Sequence, residues 1–494
     1  MDGARRFIPA PLRVGTGPTP AELAELVAVD VAAELGRRRD GPADWVLPLV
    51  RADVWMQWLV EQSLAREGLD PVSAGPEVFA SRSAEVEQEQ LERVAGVLAA
   101  AGLCPEEGTG PDPATAGATA FVSLYEAGLI SFADRVVTSC PRCQTVVADA
   151  EVEAGEPASG EEVAVLAVPL VSGEEGGDVD AELFGAELLD GVAALVVPEG
   201  HPAAGDEATL PIVGRTVPVV PDPGAAGPFL LVPAHRRDHW SVAAARGLAA
   251  PVVMTADGTL TSGPWEGLAR YAARQQALEA LASAGALVGT RPDRSPSRRC
   301  RVCGTAVVDR LGSYWFLASA SLAEAAAAAV AAGDVAVSPA VAGPAVGRAL
   351  AATGDWCVSL QLRAGSPVPV GWCLDCRKPT VAVSGPGSCG ACMGELRPDG
   401  SALDPWFVAA SWAAEVLRDR GGTLVVPASV PEPEVIAVLH RLAGGSLAVA
   451  VLPAGAEGSE DHLLDAEAAS ELAGRLRRDP WTAEAAGVVL GEAS

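Results

Sequence analysis

The apolar positions fall into two rhythms along the chain. Residues 20–39 (PAELAELVAVDVAAELGRRR) and 84–102 space them three and four apart, which predicts amphipathic helices. GTGPDPATAGAT at 108–119 predicts a loop, and AFVSLYEAGLI starts a further helix. From 163 to 290 the rhythm shortens. EEVAVLAVPL, GVAALVVPEG, RTVPVVPD, GPFLLVPA and APVVMTADGTL are Val/Leu-rich runs bounded by turn residues, interrupted by helices near 239–248 and 266–285. That mixture predicts a compact mixed β domain. Residues 321–332 (SLAEAAAAAVAA) are helical by propensity. Near the end, TLVVPAS and SLAVAVLPA flank a helix around 432–443, an α/β pattern without an internal repeat.

Composition narrows the class. With 494 residues, 49% of them hydrophobic, the chain can bury several globular cores. A net charge of -29 argues against broad, salt-driven wrapping of nucleic acid, so DNA is not an expected partner, while a local basic contact remains open. No apolar run has membrane-spanning length, and MDGARRFIPAP lacks the apolar core of a signal peptide. The expectation is a cytoplasmic protein without a membrane partner. Lys378 is the only lysine and precedes Pro379, which excludes a Walker A loop and leaves Schiff-base chemistry one candidate amine.

Eight of the ten cysteines form four C-x-x-C pairs: Cys140/Cys143, Cys300/Cys303, Cys373/Cys376 and Cys389/Cys392. Two thiolates on one tight turn supply one edge of a tetrahedron, so two such turns complete a zinc site. Twelve residues separate the last two pairs, a zinc-ribbon spacing, and predict structural Zn2+. The first two pairs lie 156 residues apart and share an ion only if a domain is inserted between them; redox motifs or separate decayed sites are the alternatives. Cys104 and Cys357 are expected to be small buried apolar residues.

Four segments resemble the class I valyl-tRNA synthetases. AFVSLYEAGLISFADRVVTSCPRCQTVVADAEVE resembles the approach to their connective-peptide insertion, and VPAHRRDHWSVAAARGLAAPVVMTADGTL the core of their editing domain. CRVCGTAVVDRLGSYWF resembles the exit from that domain. DWCVSLQLRAGSPVPVGWCLDC with LDPWFVAASW resembles the return to the catalytic domain. Order and spacing agree over roughly residues 8–450. The resemblance implies an α/β fold: a degenerate Rossmann-type core with an inserted mixed α/β-barrel editing-type domain and four-cysteine zinc ribbons. The implied division is 1–145 and 411–494 for the halves of the core, 146–299 for the insertion and 300–410 for the zinc-ribbon connection.

The chain departs from that pattern where the chemistry sits. The family activates amino acids with an H-I-G-H element and a K-M-S-K-S loop that stabilise the ATP phosphates. The first would fall in GTGPTPAELAEL (15–26), which has no His, and no Lys follows Lys378. ATP is therefore not an expected cofactor. The sequence ends at Ser494, short of the family's anticodon-binding region, and is read as a truncated relative. The editing motif resembles T-P-A-H-D-x-x-D preceded by Lys. Overlaid through Pro233, Ala234 and His235, it places Leu230 at the Lys, Val232 at the Thr, and Arg236 and His239 at the two Asp positions.

These replacements remove the groups that would read a threonine hydroxyl and favour an aliphatic aminoacyl group such as Ile or Val. The reading is a transferase that moves this group from aminoacyl-tRNA to a nitrogen nucleophile, a small molecule in a biosynthetic pathway. His239 is expected as general base or amine clamp, oriented by Asp238 and His235. Arg236 and Arg237 would contact the donor, with Trp240, Leu230 and Val232 forming walls. A free-standing editing hydrolase and a non-catalytic binding paralogue remain alternatives, as do structural roles for both histidines. Arg37, Arg38 and Arg39 are expected to be solvated. Arg298, Arg299 and Arg301, beside a zinc knuckle, are candidates for an acceptor-stem contact. His201, His440 and His462 have no constellation around them.

Overall fold

The computed structural model describes residues 5–39, 41–71, 73–106, 111–148, 151–156, 162–172, 177–385, 387–418, 421–428, 433–443, 447–454 and 464–491. The chain divides into two compact units, Met1–Phe132 with Trp315–Ser494, and Ala133–Tyr314.

The discontinuous unit is built on a parallel five-stranded sheet. Its strands lie in the order Ala336–Ser338, Leu447–Val451, Gly422–Val426, Arg5–Pro9 and Ala43–Trp45. Successive side chains alternate between two apolar clusters: Ile8, Leu424 and Val449 enter one, while Phe7, Val425 and Ala450 enter the other. Burial on both faces explains why these strands read as unbroken apolar runs. Helix Pro20–Arg39 packs Leu23, Leu26 and Val27 against the second cluster. At its end, Arg37, Arg38 and Arg39 are exposed as expected, and Arg37 also donates to the Ala43 carbonyl at 2.9 Å, tying the helix to the next strand.

Two expectations change here. Residues 108–119 are not one loop: residues 108–110 lie outside the described residues, and helix Pro113–Glu126 begins inside the segment. Asp112 accepts from the Thr115 N–H at 3.1 Å and Pro113 occupies the first turn. The Asp-Pro pair is a helix start, not a turn. Likewise, the helix expected from 84 begins at Pro76 and ends at Ala100.

The inserted unit carries a mixed seven-stranded sheet. Its order is Glu207–Thr209, Thr216–Asp222, Ala194–Pro198, Phe229–Leu231, Asp178–Phe184, Glu162–Pro169, Leu287–Pro292. A single bridge between Leu170 and Ala208 links the end of the sixth strand back to the first. Helix Arg270–Ser283 lays Ala273, Ala277 and Leu281, four residues apart, on the cluster containing Leu166, Leu183 and Leu195. Helix Arg237–Arg246 sets Ala243 against Ala194, Val196 and Leu231. It ends at Gly247, whose φ of +64° is the left-handed geometry in which glycine escapes the Cβ penalty. APVVMTADGTL is not a strand; only isolated bridges, Met254–Leu260 and Thr259–Ala269, form there. Among the described residues, no helix is long and apolar enough to cross a membrane.

Candidate functional site

The structure brings the eight paired cysteines into two groups. Cys140 and Cys300 each end a strand, and their knuckles place Cys143 and Cys303 beside them, with Cys140 Sγ 3.4 Å from Cys303 Sγ. Insertion of the 156-residue segment thus brings distant pairs together. In the second group, Cys373–Cys392 and Cys376–Cys389 stand 3.4 and 3.6 Å apart. Within each group the four Sγ atoms lie within 4.8 Å of one another. Tetrahedral Zn–S bonds of about 2.3 Å separate sulfurs by about 3.8 Å, so both groups can hold one zinc ion with no position left open. The single cysteines differ from expectation. Cys104 is exposed, and Cys357 is half-buried with its thiol donating to the Ser359 carbonyl.

The sequence VPAHRRDHW forms a turn and a helix start. Pro233–His235 is a single 3-10 turn, and Arg236 leads into helix Arg237–Arg246 without a side-chain cap. The turn draws the Val232 N–H out of the sheet ladder, and it donates to His239 Nδ1 at 3.0 Å. The His239 ring is buried, with ring centres 5.0 Å from Phe229 and 6.1 Å from Phe184. His235 is buried as well, and its Nε2 accepts from the Val253 N–H at 3.1 Å. That bond consumes the amide that the expected 250–260 strand would have used.

Both rings are held neutral. Burial pushes His235 down to about 4, against the opposing pull of the Asp309 carbonyl, and Arg310 adds to the lowering. Burial likewise pushes His239 down to about 4, opposed by Asp238. Accepting an amide at one nitrogen assigns the proton to the other: Nδ1 in His235 and Nε2 in His239. His235 Nδ1 is buried and makes no hydrogen bond of good geometry, the Asp309 carbonyl being the backbone acceptor that acts on the ring.

His235 is one of the residues that line a cavity of about 170 Å³. Its charged walls include Arg236, Arg270, Arg274, Arg298, Glu187 and Asp309; Phe184, Leu188, Met254, Val307 and Val308 supply apolar surface. Arg274 grips Glu187 at 2.8 and 2.6 Å. Arg236 grips the exposed Asp238 at 3.1 and 3.0 Å and stacks 4.2 Å over Phe184. Asp309 takes the Arg237 N–H at 3.3 Å and Arg298 Nη1 at 3.0 Å, while Thr138 accepts from both guanidinium groups.

The expected site residues therefore separate. His235 and Arg236 reach the cavity, and His239 stands behind Phe184 and Phe229. Leu230 and Val232 are fully buried in the sheet's core, not on the cavity wall, because strand alternation turns them inward. Trp240 is half-buried and also absent from the wall, and Arg237 is engaged with Thr138. Sequence reading missed Arg270, Arg274 and Met254. The four-residue spacing of the two arginines was a legible sign of one helix face. Arg299 closes a knuckle on the Gly304 carbonyl. His201 accepts from the Ala203 N–H, and His462 lies outside the described residues.

Comparison with known proteins places this architecture. The family of class I tRNA synthetases (I, L, M and V) matches residues 110–384. The valine–tRNA ligase of Clostridium perfringens is 29% identical over 389 residues, 76% of this chain and 44% of that protein. The valine–tRNA ligase of Clostridium acetobutylicum is 30% identical over the same shares. The chain thus spans less than half the length of these relatives. Among solved structures, methionyl-tRNA synthetase of Mycobacterium tuberculosis bound by methionyl-adenylate has 9% identity and a TM-score of 0.48, covering 96% of this chain and 63% of that one. By sequence, over more than half its length, the chain belongs to the class I tRNA synthetase family of the isoleucyl, leucyl, methionyl and valyl type.

Proposed function

We infer that this chain uses aminoacyl-tRNA as a donor and transfers an aliphatic aminoacyl group to a small nitrogen nucleophile, within an editing-type cavity of the inserted unit. The observation that carries the reading is His235: a residue lining a cavity, whose Nδ1–H is buried without a hydrogen bond of good geometry, in a relative of valine–tRNA ligases. A buried donor without an acceptor is costly, and an ester carbonyl oxygen satisfies it. Leu188, Met254, Val307 and Val308 provide the apolar surface for a Val or Ile side chain.

The chemistry needs little. The nucleophile's lone pair attacks the ester carbonyl carbon, a C–N bond forms, and the ester C–O bond to the terminal ribose breaks. The proton lost by nitrogen ends on the ribose oxygen, leaving an amide and uncharged tRNA. His235 Nδ1–H stabilises the negative oxygen of the tetrahedral intermediate. Neither histidine serves as base, because each has given one nitrogen to a backbone amide and carries hydrogen on the other. The acceptor must arrive as free amine. His239 acts through packing, by fixing Val232 and Phe229, and Asp238 by holding Arg236.

The two cysteine groups hold structural zinc in this reading. The test supplies valyl- and isoleucyl-tRNA with small amines and follows products by mass spectrometry. N-aminoacyl product is expected, and its absence overturns the transfer. The charged walls also suit water, which supports hydrolysis as second reading. Free amino acid released without any acceptor, with no amide formed in its presence, would establish that reading instead.

A further inference from the structure

A chain with a net charge of -29 repels polyanions at long range, so holding an RNA end requires a local contact. One feature outside the His235 cavity fits. On the second cysteine ribbon, Trp372, Cys373, Leu374, Arg377 and Arg397 line a groove of about 300 Å³. Its two cationic side chains are guanidinium groups, standing beside Cys373 of the four-cysteine group, which with Zn2+ bound carries a net charge of about -2. Arg236, Arg274 and Arg298 are committed to carboxylates, but Arg377 and Arg397 have no carboxylate partner among the described residues. Asp375 and Glu395 belong to the same ribbon and line none of the groove. Asp399 is occupied, accepting from the indole N–H of Trp372 at 2.7 Å and that of Trp315 at 3.1 Å.

The groove is also rigid and aromatic. The Trp372 ring is clamped by Asp399 and packed 4.8 Å from Phe132 and 6.0 Å from Trp315, while remaining half-exposed. Leu374 beside it is 56% exposed. Arg377 follows the Cys373–Cys376 knuckle at φ +58°, with its N–H held by the Cys373 carbonyl at 3.1 Å, so its side chain leaves a fixed turn. Lys378, the chain's single lysine, is exposed next to it. Two unpaired, planar bidentate donors beside a fixed indole face match the repeating chemistry of a single strand: phosphodiester, then stackable base.

We propose that the groove between Trp372, Leu374, Arg377 and Arg397 binds a single-stranded RNA segment, with the guanidinium groups on its phosphates and a base against Trp372. It deepens the tRNA-dependent reading and rests on that reading only for which RNA is held. The test measures fluorescence anisotropy of a labelled single-stranded RNA tetramer ending in CCA against the full chain, with Arg377→Gln/Arg397→Gln and Trp372→Leu variants. Circular dichroism and zinc content must match the parent chain. Binding is expected to weaken at least tenfold in the double variant, with the log-log salt slope reduced by about one to two. A blunt RNA duplex should compete poorly. Unchanged affinity in the double variant, or equal competition by the duplex, overturns the groove assignment. Because this readout needs no acyl group, the groove can stand while the transfer reading fails, and transfer can persist where the groove is shown wrong.

Discussion

The Val232 amide donates to His239 Nδ1 at 3.0 Å, and this one bond decides which nitrogen of that ring carries hydrogen. The same relation recurs between Val253 and His235 Nε2. Burial disfavours the charged ring at both positions and pushes both imidazoles down to about 4 from the usual 6.5, and a protonated ring would also have to give up its amide bond. The unfolded chain takes up these protons first as pH falls. The stability contributed is therefore complete above pH 6.5 and is lost as pH drops from 6.5 through 4, at about 3 kcal/mol per ring. Urea unfolding midpoints at pH 7.5 and 4.5 check this. The lower pH should give a clearly lower midpoint in the parent chain and a smaller change in His239→Leu. Equal midpoints would contradict the assignment.

Arg274 and Glu187 are a buried pair, with side chains 16% and 3% exposed. Arg274→Met leaves the Glu187 carboxylate buried and unpaired, and should cost about 3–5 kcal/mol. Adding Glu187→Leu should recover part of that loss. Guanidinium unfolding of the two variants measures both numbers, and a harmless single substitution would show that the pair is not sealed from water.

Metal analysis should find two zinc ions per chain. Cys143→Ser and Cys389→Ser should each remove one of them, because the two groups share no ligand. Chelation at neutral pH should lower the melting temperature of the parent chain. A stoichiometry of one, unchanged by one of these substitutions, would restrict zinc to a single group.

Much of this architecture was legible in order and spacing. The four C-x-x-C pairs announced two metal-type groups, and the helices at 20–39 and 433–442 follow from apolar periodicity. Misreadings have local causes. Asp112-Pro113 combines residues common to turns and helix starts, and only the Thr115 contact distinguishes them. The 250–260 segment has strand composition, but its Val253 amide is spent on a histidine 18 residues away. Leu230 and Val232 align with polar positions of the family motif, yet they pack inward, so substitution alone did not reveal the cavity wall. Arg270, Met254 and Arg298 converge from distant segments, a juxtaposition only the fold supplies.

Because neither ring can take a proton near neutrality, transfer should follow the acceptor's own ionisation. With hydroxylamine as nucleophile, kcat/KM should rise with the free-base fraction and show no separate enzyme limb near pH 6.5. A limb at that pH that moves in His239→Gln would restore a base role for His239.

The central claim is that His235 Nδ1–H supports acyl transfer, and the most direct measurement is the rate of valyl-hydroxamate formation from valyl-tRNA and hydroxylamine, with and without protein. The parent chain should exceed the uncatalysed rate, and His235→Leu should lose at least tenfold of that excess while remaining folded. Rates equal to the uncatalysed reaction, or an undiminished rate in folded His235→Leu, would contradict it.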